Sequence, residues 1–218
     1  MSAEANGMNI RTVRLKASKF VVCVLAAMAF IWAAGCGAAR PMQYYQLTVP
    51  SDMAQSQSNS AGVALALGPL VASHLYREDR IVYGSGAEQM GTYEYQRWTE
   101  PPAEMIQEVL LRELRASGRY REVTPQRSSG HADYVLRGHL YDFKEVAGSP
   151  VMARVTAEWE LYDVKSGSTV WTHHYGHDEP VSGKDVPAVV TALNQSVHKA
   201  VGELKTGLDQ YFASVANK

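Results

Sequence analysis

The sequence predicts one α+β domain: a mostly antiparallel sheet with two amphipathic helices packed on one face. Three patterns carry that expectation. Over residues 151–161, Val151, Ala153, Val155, Ala157, Trp159 and Leu161 alternate with Arg154, Thr156, Glu158 and Glu160. That is the period-two mark of a strand with one buried face. Ile106, Val109, Leu110 and Leu114 fall at helical spacing, with Glu104, Glu108, Arg112 and Arg115 on the other sides. A longer stripe of Val186, Val190, Leu193, Val197, Val201, Leu204 and Leu208 runs on to Phe212, a helix of about 40 Å at 1.5 Å per residue. Strands and helices come in runs rather than in strict alternation, which separates α+β from α/β.

The elements follow in order. Arg11, Arg14, Lys16 and Lys19 form a basic cluster, and residues 20–34 carry no charge. This is the n-region and h-region of a signal peptide, and the apolar run is short of the roughly 20 residues that span a membrane. It ends in Ala33-Ala34-Gly35-Cys36. Small residues leading into a cysteine resemble a bacterial lipobox, so residues 1–35 are expected to be removed and Cys36 acylated. Met8 is an alternative start to Met1. Gly37 and Ala38 follow the cysteine in place of the Asp that signals inner-membrane retention, which favours the periplasmic face of the outer membrane. Residues 36–43 form a tether and residues 44–218 the domain.

Residues 44–49 read as a strand, residues 50–60 as a polar loop, and residues 62–67 as a buried strand ended by Gly68-Pro69. Residues 80–83 and 90–95 pair across a turn at Gly84-Ser85-Gly86. Pro101 and Pro102 open the first helix and Gly118 closes it. Tyr134, Leu136 and Leu140 alternate with Arg137, His139 and Tyr141. Ser166-Gly167 turns the chain into a returning strand over residues 169–175, completing an antiparallel meander. Asp185 caps the second helix, with Pro187 just inside.

Composition narrows the function. The chain is 46% hydrophobic and 20% charged, with net charge -1, which fits a folded domain and no nucleic-acid binder. Removal of residues 1–35 takes four basic residues and Glu4, so 183 residues remain, at a net charge of -4. Cys23 leaves with them. Cys36 is then the lone cysteine, an attachment point outside any intrachain disulfide or thiolate metal site.

No catalytic pattern stands out. His173, His174 and His177 lie near Asp178 and Glu179, ligand types that suit zinc. Neighbouring strand residues face opposite ways, however, and no His-Glu-x-x-His is present, so these read as solvated edge histidines. Gly84-Ser85-Gly86 lacks the nucleophile-elbow pattern. Glu158 and Glu160 read as a polar strand face, and no glycine loop has a phosphate-binding context. The chain is therefore expected to be no enzyme and to need no metal or cofactor beyond the acyl chains (palmitate) on Cys36. The 12 tyrosines and 4 tryptophans against 4 phenylalanines are more informative, because Tyr and Trp favour interfaces. Tyr83, Tyr93, Tyr95 and Trp98 cluster in one stretch and are candidates for partner contact.

An ordered set of motifs runs along the chain. It comprises Cys36; Tyr44-Tyr45-Gln46-Leu47; Leu65-Ala66-Leu67-Gly68-Pro69-Leu70; Asp79-Arg80-Ile81-Val82-Tyr83; Trp98-Thr99-Glu100-Pro101-Pro102; Ala132-Asp133-Tyr134-Val135-Leu136; and Phe143. The set resembles the ABC-type transport auxiliary lipoprotein family, which includes the auxiliary lipoprotein of the paraquat-inducible operon. It departs from the family in writing Leu-Gly-Pro for Val-Gly-Pro and in having a single aromatic before Pro101. The resemblance implies a non-enzymatic lipoprotein working beside an ABC transporter permease and ATPase and an Mce-domain protein in intermembrane lipid transport. It implies lipidation at Cys36 and places Tyr44, Tyr45, Leu47, Tyr83 and Trp98 at family motif positions. Exposed edge strands would permit a homo-oligomer. The competing readings are a chaperone or plug of an outer-membrane β-barrel, a hydrolase using the histidine cluster, and direct carriage of lipid in an apolar cavity.

Overall fold

The computed structural model describes residues 40–48, 62–85, 88–127 and 131–216. Residues from Met42 onward form one compact unit. Its elements are β1 (Gln43–Tyr45), β2 (Ala64–Ala72), a 3-10 turn (His74–Arg77), β3 (Arg80–Gly84), β4 (Met90–Trp98), α1 (Pro102–Ala116), β5 (Glu122–Pro125), β6 (Tyr134–Val146), β7 (Met152–Asp163), β8 (Ser168–Pro180) and α2 (Val186–Ala216). The architecture is α+β, as the patterning requires. The signal segment, Cys36 and the loop at residues 50–60 lie outside the described residues. No helix among the described residues is long and apolar enough to cross a membrane.

β6 organises the sheet. One of its edges pairs with β7 along nearly its whole length, antiparallel, and β7 pairs with β8 in the same sense. Its other edge is shared: β2 runs parallel to residues 134–140, and β3 parallel to residues 144–146. The 3-10 turn between β2 and β3 lets both lie on that edge. From β2 the sheet extends to β5; from β3 it extends to β4 and then β1. The sheet is therefore mixed, with long antiparallel ladders and short parallel pairings.

Both helices cover one face. Ile106 and Leu110 of α1 meet Leu67, Leu70, Leu136 and Trp159. α2 lies over β7 and β8, and Val189, Leu193, Val197, Val201, Leu204 and Leu208 are buried beneath it. The Lys205 ammonium bonds Glu113 at 2.7 Å between the helices. Asp185 Oδ1 accepts the Ala188 N–H at 3.1 Å, the expected cap. The fully buried Ser196 hydroxyl is satisfied by the Tyr175 phenol at 3.1 Å. The opposite face of the meander is polar: Arg137 meets Glu160, and Arg154 holds Asp178 through two bonds of 2.6 Å.

Several boundaries differ from the sequence expectation: β4, β8 and α2 run on past their expected ends, to Trp98, Pro180 and Ala216. β1 covers only Gln43–Tyr45, because the chain then turns Leu47 into the core. Gly68-Pro69 does not end β2. The strand shifts register between Leu67 and Leu70 and continues, since a bulge beyond the end of β5 needs no N–H from Pro69. β6 reaches Val146 because a second bulge, between Leu140 and Asp142, changes the phase of alternation. Leu140 and Phe143, three apart, both enter the core. β5 was unexpected: it has four residues, and only Val123 of them is buried, too little for a period to show.

Candidate functional site

The aromatic residues singled out above belong to the arm β1–β4–β3. Register builds the arm: Tyr44 stands opposite Arg97 and Tyr45 opposite Trp98, while Tyr83 stands opposite Gly91 and, on its other side, Glu145. Gly91 leaves room for the Tyr83 ring: a Cβ on it would come within 2.6 Å of that ring, which would have to swing outward.

The residues separate by burial. Leu47 and Trp98 lie in the core, and the Trp98 ring packs 5.4 Å from that of Phe143. Tyr45, Tyr93 and Tyr95 are half-buried. Tyr44 and Tyr83 present their rings to solvent, at 61% and 40% exposure. Met42 and Met90 are exposed on the same arm. The structure thus brings Tyr83 and Tyr93 together, with centroids 5.0 Å apart. It leaves Tyr44 on the edge strand, opposite the other end of β4.

Polar bonds fix the arm to the domain. Tyr93 donates to Glu145 Oε2 at 2.6 Å, and burial followed by that carboxylate pushes the phenol pKa well above its usual value. The Thr99 N–H donates to the Tyr45 carbonyl at 2.8 Å. Asn194 of α2 clasps Thr48 by two bonds, accepting from its N–H at 2.9 Å and donating to its hydroxyl at 2.7 Å. Arg97 pairs with Asp79 at 3.1 Å. Glu145 and Asn194 were not singled out from the sequence. Glu145 lies past the bulge, where the expected strand had stopped, and Asn194 is 146 residues from Thr48.

The histidines diverge as strand geometry requires. His174 and His177 are exposed, whereas His173 is half-buried and stacks on Trp171 at 5.5 Å. His173 is on an edge strand as expected but is not fully solvated, because its side chain faces α2. Burial holds its pKa below the usual value. Among the described residues, no three His, Cys, Asp or Glu side chains gather as metal ligands would.

Fold and arm together define a mixed-sheet α+β domain with an aromatic edge at its first strand, β1. The same architecture occurs in the crystal structure of protein XCC0632 from Xanthomonas campestris, which is 20% identical, with 80% of this chain and 99% of that chain covered and a TM-score of 0.67. A second crystal structure, of an uncharacterized protein, is 14% identical over 76% of this chain and 97% of that one, with a TM-score of 0.60. At these identities the likeness shows the fold. No curated protein matches the chain. The family model of the ABC-type transport auxiliary lipoprotein component matches residues 45–204, and the chain belongs to that family. It is a lipoprotein, associated with membrane through its lipid and with an ABC-type transport system.

Proposed function

We propose that the chain is a lipid-anchored periplasmic adaptor that docks the Mce component of an intermembrane lipid transport system at the outer membrane. The observation that carries this reading is the place of β1. Cys36 precedes Gln43 by seven residues, a tether of about 25 Å when fully extended. An acylated Cys36 holds the exposed edge carrying Tyr44 in a thin layer at the membrane, where effective concentration for a membrane-proximal partner is high. Gly37 and Ala38 support the outer membrane. The chain positions its partner and catalyses nothing. In the arm, Tyr93, Glu145, Arg97 and Asp79 are engaged with one another, and no cofactor other than the acyl chains is invoked.

The test is a photo-crosslinking amino acid placed at Tyr44 or Tyr83 in living cells. An Mce-domain protein is the expected adduct. Recovery of an outer-membrane barrel and no Mce protein would overturn the reading in favour of a barrel chaperone or plug. A Cys36→Ala variant is expected to leave the membrane fraction in high salt.

A further inference from the structure

β8 pairs with β7 alone, so one edge of this 13-residue strand carries no neighbour among the described residues. Between that strand and the second half of α2 lies a groove of about 610 Å³, outside the aromatic arm. Trp171 and His173 form its strand wall, with rings stacked at 5.5 Å and 3°. Gly202, Glu203, Thr206 and Gln210 line its helix wall.

Two glycines shape the groove differently. Gly207 lets the indole rest on α2, since a Cβ there would meet Trp171 Cζ2 at 2.7 Å. At Gly202 a Cβ would meet nothing within 4 Å. Glycine weakens a helix interior relative to alanine, and packing requires none at this position. The space over Gly202 is the groove itself.

Two charged side chains line the groove, Glu203 and Lys199, and the Lys199 ammonium is held by Glu179, which offsets its charge. Glu203 has neither ion pair nor hydrogen bond among the described residues, and burial holds the pKa of the neighbouring His173 below its usual value. An aromatic wall beside an unpaired carboxylate suits a cation, by attraction to the ring face and by charge-assisted hydrogen bonds.

We propose that this surface binds an extended segment of a partner protein, which adds to the free edge of β8 and places the guanidinium or ammonium of an Arg or Lys between Trp171 and Glu203. Strand addition satisfies the open backbone edge. Side chains of an added strand alternate between faces, so one of them points toward α2 and into the groove. The inference rests on the edge and groove alone and holds whatever protein supplies the segment.

The test uses the full lipoprotein in detergent and a fluorescein-labelled, end-capped decapeptide of alternating Thr and Val with one central Arg. Anisotropy is expected to show this peptide binding roughly ten-fold tighter than its citrulline twin, which keeps the shape and loses the charge. Glu203→Gln is expected to erase that difference. Gly202→Leu, which fills the groove, is expected to abolish binding while the thermal unfolding transition is kept. Peptides N-methylated at alternate amides, in the two registers, are expected to differ, one binding and one not. Equal binding of the Arg and citrulline peptides, or indifference to Glu203→Gln, overturns the cation site. Equal binding of both N-methylated peptides overturns the strand addition. Displacement of the peptide by glycerophosphoethanolamine, at concentrations where free arginine does not displace it, assigns the groove to a lipid head group and also overturns the proposal.

Discussion

The phenol of Tyr93 donates a 2.6 Å hydrogen bond to Glu145, and Tyr83 stands between them. One bond therefore ties β4 to β6 across β3, and the exposed Tyr83 ring rests 5.0 Å from Tyr93. Tyr83, one of the two accessible aromatics of the arm, is held from the side by a half-buried one, which is held by a carboxylate of the central strand.

Tyr93→Phe is expected to keep the ring and lose the bond. A hydrogen bond to a charged group contributes up to about 3 kcal/mol when dry. These two side chains are only half-buried, so screening reduces the loss to about 1 kcal/mol. Urea unfolding at pH 7 measures it. Glu145→Gln, which still accepts the bond, should lose less than Tyr93→Phe.

Tyr76 supplies a pH-dependent term. Burial, and then the charge of Asp142, push its phenol from 10.0 up to about 12. The folded state thus holds this proton more tightly than the unfolded state. The resulting stability is complete below pH 10 and is lost as pH rises toward 12. At pH 11 the expected loss is about 1 kcal/mol, from 1.36 kcal/mol per pKa unit. Tyr93 and Tyr120 shift the same way. The measurement is therefore the difference between wild type and Tyr76→Phe in urea at pH 9 and pH 11, and the variant should show the shallower fall.

Much of this fold was legible because its long elements keep one period. The residues of β7 alternate without interruption, and α1 and α2 keep their stripes from cap to end. What was not legible lies where the period breaks. The bulge at Leu140–Asp142 hid the second half of β6, and with it Glu145 and the buried Lys144, whose ammonium meets Asp142 at 2.6 Å. The bulge at Leu67–Leu70 made Pro69 look like a terminus. The aromatic cluster was visible as composition, but its division into core and surface depends on register. Nothing in the spacing of Tyr44 and Trp98 says that one is exposed and the other buried.

That division predicts different outcomes for two aromatic deletions. Trp98 is 1% exposed and packs on Phe143. Trp98→Ala should destabilise by about 3–5 kcal/mol through the cavity it leaves. Tyr44 is 61% exposed on the edge strand. Tyr44→Ala should change stability by no more than about 0.5 kcal/mol and yet reduce adduct formation from a crosslinker at Tyr83. Denaturation midpoints and crosslinking yields measured on the same two variants separate packing from docking.

Two glycines give the sharpest contrast in stability. Gly138 of β6 stands opposite Trp159 of β7. A Cβ on it would clash with the Glu158 carbonyl oxygen and meet Trp159 Cδ1 at 3.0 Å and Leu70 Cδ1 at 3.2 Å. The nearest atom is backbone in the central ladder, so no rotamer change relieves the clash; β6 and β7 must separate. Gly138→Ala should therefore cost about 3 kcal/mol or more, above the usual range for one substitution. Gly202→Ala adds its methyl to open space on α2 and should stabilise by about 0.5–1 kcal/mol through helix propensity. Urea unfolding with unchanged m-values reads both. A Gly138→Ala protein as stable as wild type would mean that β6 and β7 do not pair in this register, and Glu145 would then lose its place beside Tyr83 and Tyr93.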